Sequence, residues 1–285
     1  MPGTGLTRTL GQAQSIDFVN RFGNKLKSLQ ELLGLQRVIK VPAGGLLHTY
    51  TSEVTLDGTE VPPGAVIPLS EVKRIKGDPI EFTWDKKRKA VPAEDIQAYG
   101  YDVAIAETDR AFLGELQKGI RDAFIDQLAK GTGTSTGSGL QEVMAQNFAA
   151  VVTAFEEDDA EVVSFVNPFD VADYLGNAQV TTQTAFGMNY LEGFLNNKVA
   201  FMHPSVPKGT VYSTAIGNLV IGHADMRGGA LGKAFGFTTD SSGIIGVLHD
   251  VNPSRLTAET VAASAVAIFA ERLDGVVKGS IAPEV

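Results

Sequence analysis

Residues 130–139 read KGTGTSTGSG: four glycines, three threonines and two serines behind one lysine. Glycine-rich runs cradle phosphate when backbone N–H groups converge on an anion at the start of a helix. A nucleotide P-loop has the form G-x-x-x-x-G-K-[ST] and follows a strand. Here Gly131 and Gly137 stand one residue too far apart, Ser138 occupies the lysine position, and Lys130 precedes the run. The dinucleotide pattern G-x-G-x-x-G fails at Thr136. The residues before the run have helical spacing, which is the wrong context for either motif. The run reads instead as a flexible link, with Gly131, Gly133, Gly137 and Gly139 as a candidate hinge.

The other chemistry-bearing residues are dispersed. Glu156, Glu157, Asp158 and Asp159 are consecutive, without the alternation and central glycine of a calcium loop. His48, His203, His223 and His249 form no H-E-x-x-H pair, and each reads as a structural or surface residue. No serine-nucleophile elbow is assigned, and no catalytic, cofactor-binding or metal-binding residue is expected. The one dense basic cluster is Lys86, Lys87, Arg88 and Lys89, beside Trp84. On a chain of net charge −9 it is a weak nucleic-acid signal. A salt-bridging edge facing an acidic neighbour fits both signs of charge better.

The elements that must position these residues follow from periodicity. Hydrophobic residues make up 44% of the 285 and charged residues 20%, enough for a real core. There is no cysteine, so packing or neighbouring subunits must supply the stability. No apolar signal segment is visible, and no window reaches the roughly 18 apolar residues of a membrane span.

Residues 1–14 are polar and read as an extended or disordered arm. A helix follows, with Phe18, Phe22, Leu26, Leu29 and Leu33 on one face and Gly34 as its stop. A partner subunit is the expected surface for that face, which makes Phe18 and Phe22 candidate contacts. Residues 37–92 have strand-like spacing, with a turn signal at Asp57-Gly58 and alternation of Ile80, Phe82 and Trp84 against Glu81, Thr83 and Asp85. A two-stranded ribbon of this kind is marginal alone in water, so something outside it must hold it.

The clearest helix spans 103–129. Leu113, Leu116, Ile120, Phe124 and Leu128 form its stripe, and Glu107, Asp109, Arg110, Lys118, Arg121 and Asp122 are expected to face away. After the glycine run, LQEVMAQNFAAVVTAF reads as a helix, EVVSFVN as a buried strand, and DVADYLGNA and FGMNYLEGFL as short helices. Two or three short strands follow within 199–224. The tail reads as a long strand, a turn at 273–275 and a final strand.

This order of elements, with the stretches DFVNRFGNKLKSLQELLG, EVTLDGTEVPPGAVIPLSEVKR, DIQAYGYDVAIAETDRAFLGELQKGIR, FVNPFDVADYLGNAQVTTQTAFGMNYLEGFL and LTAETVAASAVAIFAERLDGVVKGSI, resembles the major capsid proteins of tailed bacteriophages, in particular siphophage head proteins. The resemblance implies an α+β chain with the HK97-type fold. Its parts would be an N-terminal arm (1–45), an E-loop ribbon (46–92), a P domain (93–134 and 251–285) with the spine helix 103–129, and an A domain (135–250). It implies a non-enzymatic, self-assembling structural protein without cofactors. The chain would form hexamers and pentamers that close into an icosahedral head around DNA, which it touches only by weak non-specific contact. Implied partners are a portal and separate scaffolding or decoration proteins, with no membrane. The implied location is the virion, after assembly in the host cytoplasm.

In such a shell the arm and ribbon reach across neighbours, and the hinge at 131–139 would let one sequence occupy both kinds of ring. An encapsulin-type nanocompartment shell keeps the fold with a different content. A nucleotide- or metal-dependent enzyme is the remote alternative, from a different class.

Overall fold

The computed structural model describes residues 4–32, 37–41, 45–58, 60–62, 64–156, 160–176, 183–185, 188–227, 234–239 and 241–282. The chain opens on helix α1 (Thr4–Leu32), so the loose arm expected over 1–14 is already helical from Thr4. Helix growth is cooperative once a nucleus is packed. Leu6, Arg8, Leu10, Gln12, Ala13 and Gln14 are good helix formers that let it propagate backwards past Gly11. The predicted stripe of Phe18, Phe22, Leu26 and Leu29 is buried, but in the core of its own chain. Phe18 and Phe22 are therefore closed to a neighbouring subunit, which corrects that expectation. Leu33 and Gly34 lie outside the described residues.

A short strand, β1 (Val38–Lys40), leads into the ribbon. There β2 (Leu46–Thr55) pairs antiparallel with β3 (Glu71–Glu81), Thr55 opposite Glu71. The link is thus the whole 56–70 segment and not a tight turn at Asp57-Gly58. The ribbon ends at Glu81, short of the expected limit of 92, because the next strand, β4 (Asp85–Pro92), pairs elsewhere. Helix α2 (Ala93–Tyr99) stops at Gly100, whose φ of 83° turns the chain directly into α3 (Tyr101–Leu128). Only glycine adopts that φ without strain. Helix α3 is about 42 Å long, and its predicted stripe is buried throughout. Gly114 and Gly119 face open space on its outer side.

The glycine run is not slack. Residues 133–137 form β5 (Gly133–Gly137), which is followed by α4 (Leu140–Phe155). Then come β6 (Val162–Val166), α5 (Pro168–Leu175), β7 (Gln183–Ala185) and β8 (Met188–Glu192). In the expected helix FGMNYLEGFL residues 188–192 are strand, held by pairing with β9 (Val199–Met202). Met188 and Tyr190 are buried in one apolar cluster and Leu191 in the cluster of α4, as in a strand covered on both faces. The remaining strands are β10 (Thr210–Ala215), β11 (Leu219–His223), β12 (Ile245–Asn252), β13 (Thr257–Ser264), β14 (Val266–Ala270) and β15 (Val276–Ile281). The single long strand expected in the tail is split at Ala265, because its halves join different sheets.

Among the described residues the sheet orders are β5-β15-β10-β6-β9-β8-β7, β12-β13-β4, β1-β11-β14 and the ribbon β2-β3. The seven-stranded sheet lies between two helices. Phe165 on β6 meets Phe124 of α3 at 5.1 Å on one face, while Val166, Ala200 and Val211 pack on Val143 and Met144 of α4 on the other. Burial on both faces explains why β6 reads VVSFV, an unbroken inward run.

A buried polar chain crosses the α4 side. Ser135 Oγ donates to Asn147 Oδ1 (2.5 Å), Asn147 Nδ2 to Ser213 Oγ (2.9 Å), and Ser164 Oγ lies 2.6 Å from Ser213 Oγ and 2.8 Å from Asn197 Oδ1. Every member is satisfied, so the chain fixes the register of β5 and α4 on the sheet at little cost.

The glycines of β5 serve close approach, not hinging. A Cβ at Gly131 would meet Val276 at 2.6–2.7 Å, at Gly133 it would meet Val276 and Val277 at 3.0 Å, and at Gly137 it would meet the Val143 amide at 2.8 Å. Gly139 alone has open space around it. Gly133→Val should therefore destabilise the fold by about 1–3 kcal/mol through overpacking, whereas Gly139→Ala should change it by less than about 0.5 kcal/mol. Gly114→Ala, on the open side of α3, should add roughly 0.5–1 kcal/mol. Urea unfolding of the isolated subunit measures all three.

Candidate functional site

Two places in the structure have unusual chemistry: a buried polar cluster under α1 and the uncovered tip of the ribbon. In the cluster five elements converge on one carboxylate. Asp109 of α3 takes Lys89 Nζ of β4 at 2.7 Å on Oδ1, and the Thr260 hydroxyl of β13 donates to the same oxygen at 3.2 Å. His249 of β12 places Nε2 3.0 Å from Oδ2. His249 Nδ1 in turn lies 2.7 Å from Ser15 Oγ of α1. Lys89 also donates to Thr108 Oγ1 and to the Ile105 carbonyl.

Burial pushes the Asp109 pKa up, but hydrogen bonds from His249 and Lys89 outweigh it and hold the carboxyl below its ordinary range. Burial lowers the Lys89 pKa against the pull of Asp109. The residue types Ser15, His249 and Asp109 are those of a nucleophilic triad. Ser15 is only 2% exposed, and Asp109 is shared with a lysine and a threonine, so no substrate reaches the hydroxyl. The arrangement is a clamp.

Asp109 was expected on the solvent side of α3. It stands four residues before Leu113 and four after Ile105, on the buried stripe itself, and that spacing was the available signal. The basic cluster is likewise divided within the chain: Lys89 is taken by Asp109, Arg88 pairs with Glu259, and Lys87 lies 3.4 Å from Asp85. Trp84 is half-buried on Ala224, Met226 and Ala265. Lys86 is exposed. Of the four cations only Lys89 is drawn inward, while Lys86, Lys87 and Arg88 stay exposed at the surface.

His203 is buried 3.4 Å from Arg121, and His223 is buried at the end of β11. Residues 133–137, GTSTG, do carry the G-x-S-x-G spacing, contrary to the expectation that no such elbow occurs. Ser135 sits inside a strand and is held by Asn147, not at an exposed strand-to-helix turn beside a histidine. Among the described residues no group of His, Asp and Glu is placed to hold a metal. No described helix is long and apolar enough to cross a membrane.

The ribbon is opposite in character. At its base Leu47 and Ile80 pack beside Val41, Phe82, Val220 and Phe269. A bulge then sets Thr49 against Gly77 and Asp78, where a Cβ on Gly77 would run into the Thr49 hydroxyl. Beyond it the ribbon leaves the core. Val54 and Val72, paired across the strands, are both exposed, and in the uncharged segment 61–70 Val66 is 93% and Leu69 96% exposed.

No protein-family model matches the chain, and no curated protein matches it in sequence. Solved structures do. A virus-like particle from Pyrococcus furiosus aligns over 94% of this chain and 96% of its own, with TM-score 0.55 and 13% identity. The capsid of a native GTA particle aligns over 90% of each chain, with TM-score 0.58 and 10% identity. A structure of Mycobacterium phage Adephagia covers 89% and 90%, with TM-score 0.53 and 10% identity.

The chain has the HK97-type capsid fold.

The depressed pKa of Asp109 makes its contribution pH-dependent. Stability from the clamp is present above the ordinary carboxylate pKa of about 3.9 and is lost as pH falls through the lower folded value. Asp109→Asn should cost about 3–5 kcal/mol at pH 7, since Lys89 is left buried and unpaired. Its deficit relative to the parent chain should shrink as both are unfolded at progressively lower pH toward 3.

Proposed function

We propose that the chain is the structural subunit of a closed icosahedral shell, and more specifically of a DNA-containing head of the tailed-phage type. The observation that carries this reading is the uncovered apolar ribbon tip on a chain that matches shell structures over about nine-tenths of its length. Large apolar side chains left at over nine-tenths exposure are an association surface or a liability, and an open two-stranded ribbon is a template for unwanted pairing. A neighbouring copy that covers the tip removes both problems. Full burial of one such side chain contributes about 1.5–3 kcal/mol, multiplied over every copy in a shell.

The domain division is kept within this proposal, with the E-loop confined to 46–81 and β15 counted with the A-domain sheet that it joins. Hexamers and pentamers, a portal, and separate scaffolding or decoration proteins complete the proposed assembly. The match to the Pyrococcus furiosus particle supports a second reading, a compartment shell without packaged DNA.

Electron microscopy of the expressed protein should show rings or closed particles. A strictly monomeric protein under all assembly conditions would overturn the proposal, and extracted particle contents, DNA or protein cargo, separate the two readings. The double variant Val66→Asp, Leu69→Asp should keep the melting temperature of the isolated subunit within a few degrees. It should raise the concentration needed for assembly by at least about tenfold, as read by light scattering.

A further inference from the structure

Helix α1 packs on β12, α3 and the edge strand β7. Its buried side chains, Phe18, Val19, Phe22, Leu26 and Leu29, lie on an apolar floor that includes Leu113, Leu116, Ile245 and Val247. Open grooves run along both flanks. One lies between α1 and α3, bordered by Asp17, Arg21, Ala106 and Arg110. The other lies between α1 and residues 241–244, bordered by Asn20, Lys27, Ser241 and Ser242. The ion pairs on the outer face, Asp17–Arg21 at 2.7 Å and Lys27–Glu31 at 3.7 Å, stay inside the helix and tie it to nothing beyond. At the N-terminal end of the buried stripe Ser15 reaches His249 and through it Asp109, and the Tyr101 hydroxyl of α3 lies 3.5 Å from Gln14 Oε1.

We propose that α1 is a strap: a unit that opens and recloses separately from α3 and the central sheet, with the Ser15–His249 bond as the latch that sets its seating. An apolar stripe of nearly equivalent residues at spacings of three and four slides easily by one turn. A directional bond to a buried imidazole does not. His249 is itself fixed by Asp109, which Lys89 and Thr260 hold from two other strands. The latch is therefore anchored in the body whether or not the strap is down. When the strap lifts, the floor of Leu113, Leu116, Ile245 and Val247 is exposed.

Sub-global opening of this kind is visible to amide hydrogen exchange. In the isolated native subunit, peptides from residues 4–32 should exchange in a separate, faster step than peptides from 113–128. Ser15→Ala removes the latch and leaves the Asp109–His249–Lys89 group intact. It should raise exchange in 4–32 by about fivefold, the loss of one hydrogen bond, with no change in 113–128. Thr153→Ala, a change on α4 outside the strap, serves as the control and should leave 4–32 unaltered. The proposal is overturned if the two regions exchange in one step in the parent chain. It is equally overturned if Ser15→Ala leaves 4–32 unchanged or accelerates both regions together.

Discussion

A carboxylate buried under a helix must be paired, and the pairing of Asp109 organises the molecule. An isolated ionised group in that position would cost several kcal/mol of lost hydration. Lys89, Thr260 and His249 offset this, and each arrives on a different strand. Helix α3, the sheet β12-β13-β4 and, through Ser15, helix α1 are thus fixed relative to one another by a single group. The strand that carries Lys89 is also the one that follows the ribbon. The anchorage of β4 on α3 therefore defines where the ribbon must start and which way it leaves the body.

On the opposite side of α3 the constraint is packing density. The seven-stranded sheet accepts α3 on one face and α4 on the other, and β5 fits at its edge only because Gly131, Gly133 and Gly137 let the backbone approach Val276, Val277 and Val143. A Cβ at these positions has nowhere to go in an interior packed as closely as an organic crystal. The hydrogen-bonded chain from Ser135 through Asn147, Ser213 and Ser164 to Asn197 then allows one register for β5 and α4. Glycine and serine in one short run thus do complementary work, one permitting contact and the other directing it.

Much of this was legible in the sequence where periodicity and burial coincide. The α3 stripe, α4, the buried run of β6 and the existence of the ribbon follow from spacing alone. The misreadings share a cause: a residue's local character was overridden by a distant partner. Asp109 looked solvated because it is charged, although its position matched the stripe. The run 130–139 looked slack because its composition is that of linkers, and only the parallel pairing of β5 with β15, from the far end of the chain, reveals a strand. The cluster 86–89 looked like an external edge, because nothing nearby announces Glu259 or Asp109 as its partners. Ser15 and His249, separated by more than two hundred residues, carried no signal at all.

The same long-range pairing determines what the surface has left to offer. With Lys89 taken inward by Asp109 and Arg88 paired at the surface with Glu259 of its own chain, the electrostatic edge expected between subunits is weakened. The apolar ribbon tip beyond the Thr49–Gly77 bulge loses nothing, because Val66 and Leu69 stay almost fully exposed. Association through a dry apolar tip is weakly directional by itself. In the proposed shell, direction would come from the base of the ribbon seated on Phe82 and Phe269 and from the strand β4 tied to α3. A buried salt bridge that contributes little net stability can in this way govern geometry at a surface several strands away. The interior clamp and the exposed tip are two ends of one lever.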